Sequence, residues 1–143
     1  MAEDLYQAYS FLLDRTARRV KQYAQKRFKV LGFNITVDQW LIMRNLYEHQ
    51  QMKQNELAEL VFKDNPTLTR MIDLLCEKGL TERKVNPADR RSFMVSLTKA
   101  GIKKVEKLKP KMKDVRYKAW EGLSDKDFQH FKKVLNTIYQ NLA

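Results

Sequence analysis

The sequence predicts a mainly α-helical fold carrying one small β-hairpin. Three observations lead there. Only 4 Gly and 3 Pro interrupt 143 residues, and Leu, Lys, Glu and Gln are abundant, a composition that favours helix. Apolar residues recur at spacings of three and four along most of the chain. One stretch alone, residues 80–98, alternates with the period of a strand. At 43% apolar and 31% charged residues the chain is globular rather than disordered.

The first helix is expected from about Leu5 to Leu31. Leu13, Ala17, Val20, Ala24, Phe28 and Leu31 share one stripe, with Arg15, Arg18, Arg19, Lys21, Lys26, Arg27 and Lys29 on the other faces. Gly32 is its stop. A second helix opens at Thr36, with Gln39 completing a capping box. Trp40, Leu41, Ile42, Met43, Leu46 and Tyr47 make it apolar almost all round, so it is expected at the centre of the fold. A short third helix holds Glu56–Val61. After a break at Phe62–Asn65, a fourth helix starts near Pro66, capped by Asp64 or Asn65, and runs to Lys78. Leu68, Ile72 and Leu75 form its inner stripe, and Gly79 ends it.

Phe93, Val95 and Leu97 fall on one face of a strand, paired with Leu80–Val85. Asn86–Arg91 is read as the turn between them, with a basic tip. Thr98 caps a fifth helix with Val105, Leu108, Met112, Val115 and Ala119 along one seam, bent at Pro110. Ser124 caps a sixth, with Phe128, Phe131, Leu135, Ile138 and Leu142 in the same repeat. Such narrow seams suit packing between long helical arms. The expected organisation is one domain. Residues 36–98 form a compact lobe, and residues 1–31 and 99–143 form helices that dimerise.

With 28 Lys+Arg against 17 Asp+Glu, the net charge is +11. A polyanionic partner is the natural inference. No apolar run approaches the roughly 18 residues that span a bilayer. The N-terminus lacks the basic start and apolar core of a signal peptide, so a cytoplasmic location is expected and no membrane partner. A single cysteine, Cys76, excludes an intrachain disulfide. There is no phosphate-binding Gly loop, nucleophile elbow or HExxH pair. No enzyme activity, cofactor or metal is therefore expected. His49 and His130 lack ligand spacing and are read as surface residues.

Two short helices, a tight break and a β-hairpin make a winged helix-turn-helix. The major groove of DNA admits one α-helix, whose first residues meet the base edges. An adjacent wing can send an arginine into the minor groove. Asn55-Glu56-Leu57-Ala58 opens the first helix of the motif, and Asp64-Asn65-Pro66-Thr67-Leu68-Thr69-Arg70 the second. Glu77–Arg83 turns into the wing. Asp89-Arg90-Arg91 then precedes Val95-Ser96-Leu97-Thr98 and Gly101. Together these stretches resemble the MarR family of transcriptional regulators over nearly the whole chain. Asn65-Pro66 departs from the small hydroxyl or basic residues common at that place, which bears on the operator sequence and not on the binding mode.

The resemblance implies a ligand-responsive repressor that binds double-stranded DNA as a homodimer. The DNA-binding residues are then Asn55, Asn65, Pro66, Thr67, Thr69, Arg70, Arg83, Asp89, Arg90 and Arg91. Thr67 and Arg70 are expected at bases or phosphates, with Leu68 pointing inward. Gln54, Asn55 and Arg83 are expected at phosphates, although Asn55 serves equally as a helix cap. One of Arg90 and Arg91 enters the minor groove, while the other pairs with Asp89. Relatives bind phenolic or lipophilic anions, so a small aromatic or lipophilic effector is a further expected partner. Trp40, Tyr9, Phe11, Tyr117 and Trp120 are the candidates to line its pocket, with aromatic core packing the simpler account. The lysine-rich fifth helix reads as a solvated face, and Cys76 as a buried, inert thiol. The competing class is a winged-helix module that binds an acidic protein partner.

Overall fold

The computed structural model describes residues 4–143. Six helices and three strands follow in order: α1 (Tyr9–Val30), α2 (Val37–His49), β1 (Gln51–Lys53), α3 (Gln54–Leu60), α4 (Asn65–Glu77), β2 (Thr81–Asn86), β3 (Asp89–Leu97), α5 (Lys99–Ala119) and α6 (Asp125–Asn141). The chain forms two compact units, one ending at Lys111 and the other beginning at Met112.

The first unit is built around α2. Trp40, Ile42, Met43 and Leu46 are buried there. The Thr36 hydroxyl accepts the Gln39 N–H, and the Gln39 side chain accepts the Thr36 N–H, so both ends of the capping box are made. Leu41 is a correction: it is exposed, leaving α2 one open edge. Phe28, Leu57, Leu68, Ile72, Leu75, Val95 and Val105 complete the core.

Helix ends follow local chemistry. α1 begins at Tyr9 rather than about Leu5, because no side chain caps it at Ala8. Its preceding residues close shorter turns, such as the Gln7 N–H to the Asp4 carbonyl. At its far end the Gly32 N–H reaches the Lys29 carbonyl and the Phe33 N–H the Phe28 carbonyl. The Phe28 and Phe33 rings meet with centroids 5.0 Å apart. This pairing of two reversed bonds with an apolar contact is a Schellman motif. α4 ends the same way, through Gly79 and Leu80. α3 does so through Phe62, which takes φ +57° with its ring exposed.

The sheet is antiparallel, in the order β1-β3-β2. β1 was not foreseen, because three residues are too short to show a period of two. It pairs Met52 with Val95. The hairpin turn is tighter than Asn86–Arg91. Asn86 pairs with Asp89, leaving only Pro87 and Ala88 between the strands. The Asn86 side chain accepts the Ala88 N–H at 3.1 Å, a bond that closes the chain back on itself. Val95 and Leu97 are buried as expected, whereas Phe93, nearer the tip, is exposed.

α5 starts where Thr98 accepts the Gly101 N–H and donates to the Gly79 carbonyl. It continues through Pro110. In the second unit, Ser124 and Asp127 form a capping box for α6. Trp120 packs edge-on against Phe128 and Phe131, with centroids 5.2 and 5.3 Å away.

Gly101 marks a close approach between α5 and the chain leading into β2. A Cβ there would lie 2.1 Å from the Leu80 carbonyl oxygen, a backbone atom with no freedom to withdraw. Gly101→Ala is expected to destabilise the fold by about 1–3 kcal/mol, the range for overpacking. Urea denaturation measures it, and an unchanged midpoint would contradict the close approach.

Candidate nucleic-acid interface

α4 is amphipathic in a way that leaves one face free. Leu68, Ile72 and Leu75 are fully buried. Asn65, Pro66 and Arg70 are exposed, with Thr67 and Thr69 partly so. Its N-cap is Asp64, whose carboxylate accepts the Thr67 N–H at 2.7 Å. Pro66 sits in the first turn, where a missing N–H leaves no bond unmade. Hydrogen bonding from Thr67, through its backbone and then its hydroxyl, holds the Asp64 carboxyl below the ordinary carboxylate range, and the Arg70 charge adds to it. The start of α4 is thus held by the chain's own hydrogen bonds.

Arg70 makes one long contact, to the Thr67 hydroxyl at 3.4 Å. It forms no ion pair with Asp73 or Asp64. Asn55 lies in the first turn of α3, where its side chain accepts the Glu56 N–H; the cap position belongs to Lys53.

Arg83 is engaged within the chain. Its Nε donates to Gln54 Oε1 at 3.1 Å and its Nη2 to the Thr69 carbonyl at 3.0 Å, while Nη1 pairs with Asp73. Gln54 in turn donates to the Thr69 hydroxyl at 2.8 Å. One guanidinium from β2 therefore joins the first residue of α3 to two turns of α4. Its planar, forked donors suit this three-way junction. Sequence reasoning missed the cluster. Thr69 and Asp73 stand four apart on one helix face, but nothing local says that Arg83 of β2 crosses that face.

At the wing, Arg90 and Arg91 begin β3 and are exposed. The expected pairing of one of them with Asp89 is not made. Asp89 accepts the backbone N–H of Arg91 at 3.0 Å instead, and Ser92 donates to the Asp89 carbonyl. The tight turn has already satisfied that carboxylate through the backbone. Neither guanidinium has an acidic partner among the described residues.

The other singled-out residues divide. Trp40 is core, and Trp120 has ring partners on α6. Tyr9, Phe11 and Tyr117 are exposed, so core packing within the chain does not account for them. Cys76 is half-buried, its thiol 3.2 Å from the Thr81 hydroxyl. Among the described residues no three potential metal ligands gather, and no helix is long and apolar enough to cross a membrane.

Comparison with known proteins agrees with this geometry. Residues 35–93, from the start of α2 to the wing, match the model of the MarR family. An organic hydroperoxide resistance transcriptional regulator of Bacillus subtilis (strain 168) is 32% identical over 135 residues, covering 92% of this chain and 87% of that one. An HTH-type transcriptional repressor of Pseudomonas putida is 22% identical, over 99% of this chain and 85% of its own length. The fold superposes on the S. aureus MepR–DNA complex with a TM-score of 0.83 and 28% identity, covering 93% of this chain and 97% of that chain. Fold and surface together define a winged helix-turn-helix transcriptional regulator. The chain belongs to the MarR family.

The Arg83 junction is testable by itself. Arg83→Ala is expected to cost about 1.5–3 kcal/mol, as for hydrogen bonds to charged groups. A double-mutant cycle with Asp73→Ala should show coupling of about 0.5–3 kcal/mol. Additive effects of the two substitutions would mean that the cluster does not act as a unit.

Proposed function

We propose that this protein is a homodimeric, sequence-specific repressor that reads a pseudo-palindromic operator in double-stranded DNA. The observation that carries the reading is a pair of cationic features without acidic partners among the described residues. They are Arg70 at the start of α4 and the Arg90-Arg91 pair on the wing. The exposed face of Asn65, Pro66, Thr67, Thr69 and Arg70 enters the major groove. Arg70 there is placed for a bidentate contact worth about 1–3 kcal/mol of base discrimination. One wing arginine enters the minor groove, where the negative potential is high. Neighbouring strand residues point to opposite faces, so Arg90 and Arg91 have separate tasks. Asp89 shapes the turn that presents them. Asn55 adds a phosphate contact, and Arg83 acts from behind by holding α4 against α3.

Residues 36–98 form the DNA-binding lobe, and residues 1–31 and 99–143 supply dimerisation helices. The support is exposed apolar surface on each arm. Leu13 and Val20 of α1 are exposed, and so are Val134 and Tyr139 of α6 and Leu142 at its end. A two-fold dimer that reads a pseudo-palindrome presents its two α4 helices to half-sites about one DNA turn apart, roughly 34–36 Å. The protein works in the cytoplasm and catalyses no reaction. A small aromatic or lipophilic effector regulates it, to the extent that it binds the DNA-competent and incompetent arrangements with different affinity.

Fluorescence anisotropy with the gene's own upstream duplex and a scrambled control, over several salt concentrations, tests the DNA reading. Preferential binding upstream is expected. Arg90→Ala with Arg91→Ala should weaken binding to every sequence and lower the salt slope by about 1 for each phosphate that is no longer neutralised. If neither duplex binds at moderate salt, the basic surface serves an acidic protein and this reading falls.

The dimer has its own readout. Val134→Glu with Leu142→Glu places charge on the exposed face of α6 and at its C-terminal end. Sedimentation should show a shift from dimer toward monomer with helix content retained. A dimer of undiminished strength would remove α6 from the interface.

A further inference from the structure

Beside the end of α1 lies a cleft of about 270 Å³ that the DNA-binding reading does not use. Leu31, Phe33 and Leu108 give it an apolar floor, and Gly32 contributes bare backbone at one side. Its rim is cationic: Lys103, Lys104, Lys107 and Lys111 all line it, and no acidic residue among the described ones does. Lys103, Lys107 and Lys111 stand four apart along α5, so they follow one face at intervals of about 6 Å. None of these lysines forms an ion pair among the described residues. Lys111 lies over the Phe33 ring at 5.8 Å. Lys78 stands nearby, donating to the Asn34 carbonyl at 2.6 Å.

Such an arrangement stores repulsion. Burial holds the Lys104 ammonium below the usual lysine range, and the charges of Lys78 and Lys107 push it further the same way. A solvated helix face would spread its lysines apart and pair some of them with acids. This one gathers them around a recess whose floor is apolar. A ligand able to relieve the repulsion must carry more than one negative charge, and one that fills the floor must have an apolar body. A phosphate monoester meets both demands, since it holds about 1.5–2 negative charges near pH 7 and three acceptor oxygens. A monocarboxylate would leave most of the charge uncompensated. The cleft is at the small end for ligand sites, which span roughly 300–1,000 Å³, so the ligand has few atoms beyond the phosphate and one apolar group.

We propose that this cleft binds a small phosphorylated metabolite with an apolar body, its phosphate held by Lys103, Lys104 and Lys107 and its body against Leu31 and Leu108. None of Trp40, Tyr9, Phe11, Tyr117 and Trp120 lines the cleft. It does not depend on the identity of the operator.

Phenyl phosphate is the probe, titrated calorimetrically into the full chain at constant ionic strength. It is expected to bind at least about fivefold more tightly than inorganic phosphate, which lacks the body, and than phenol, which lacks the charge. Lys104→Gln with Lys107→Gln should weaken it about tenfold or more, while Lys132→Gln with Lys133→Gln, the same charge removed from α6, should leave it unchanged. On the unsubstituted protein, the amide resonances of Gly32 and Phe33 should shift during the titration, a readout that needs no variant to fold. Equal losses in the two variants would reduce the effect to overall charge. Phenol binding as tightly as phenyl phosphate would mean an apolar recess without an anion site. Absence of binding, with duplex affinity alone reduced by the Lys104 and Lys107 substitutions, would assign these lysines to DNA. Each of these three results overturns the proposal.

Discussion

The burial of one face of α4 is the constraint from which the rest of the first unit follows. Leu68, Ile72 and Leu75 are fully shielded from water, and each such side chain contributes about 1.5–3 kcal/mol. That sum anchors the helix strongly enough for its opposite face to stay polar. α3 and β2 lie against α4, and Val95 of β3 belongs to the same buried core. The Arg83 guanidinium then removes the remaining freedom. Apolar contacts resist separation but tolerate sliding, whereas directed bonds to Gln54, Asp73 and the Thr69 carbonyl do not. A helix that must match a groove needs both kinds of restraint.

Charge is distributed with the same division. The net +11 is not spread evenly over paired residues. Arg83, which positions, is paired. Arg70, Arg90 and Arg91, which face outward, have no acidic partner among the described residues. Lys21 and Lys63 share Asp38 near the start of α2. Burial raises the Asp38 carboxyl, but hydrogen bonding and charge from Lys21, with charge from Lys63, bring it below its ordinary value. Cations engaged internally serve the fold, and the unpaired ones remain available to anions from outside.

One helix-ending device recurs through the unit. α1, α3 and α4 all close with the same pair of reversed bonds. Glycine fills the left-handed position in α1 and α4, but Phe62 fills it in α3. A bulky residue there costs energy that glycine would not. The turn between the two helices of the motif is held by its neighbours, Asp64 capping α4 and Lys63 bonding back to the Ala58 carbonyl.

Much of this protein was legible in the sequence because the deciding interactions are local. The capping pairs Thr36–Gln39 and Ser124–Asp127 lie three residues apart, the stripe of α4 recurs every three or four, and the glycine stops follow their helices directly. Each can be read in a short window, and each stands in the structure. The outward, polar side of α4 was legible for the same reason, as the complement of its apolar stripe. What depended on pairing across distance was not. β1 exists only because β3 offers Val95 to Met52. The wing turn tightened because Asn86 reaches Ala88, which left Asp89 to bond the backbone of Arg91 and not a guanidinium. The internal bonds of Arg83 could not be foreseen, because they exist only where β2 brings it over Thr69 and Asp73. The lysines of α5 became the rim of a cleft only when the end of α1 was placed beside them. The sequence by itself determined the six helices, the hairpin and most of their apolar faces, since those follow from spacing along one chain. Only the tertiary structure decided which polar groups meet, because a hydrogen bond or a cluster of like charges depends on where separate elements are packed together.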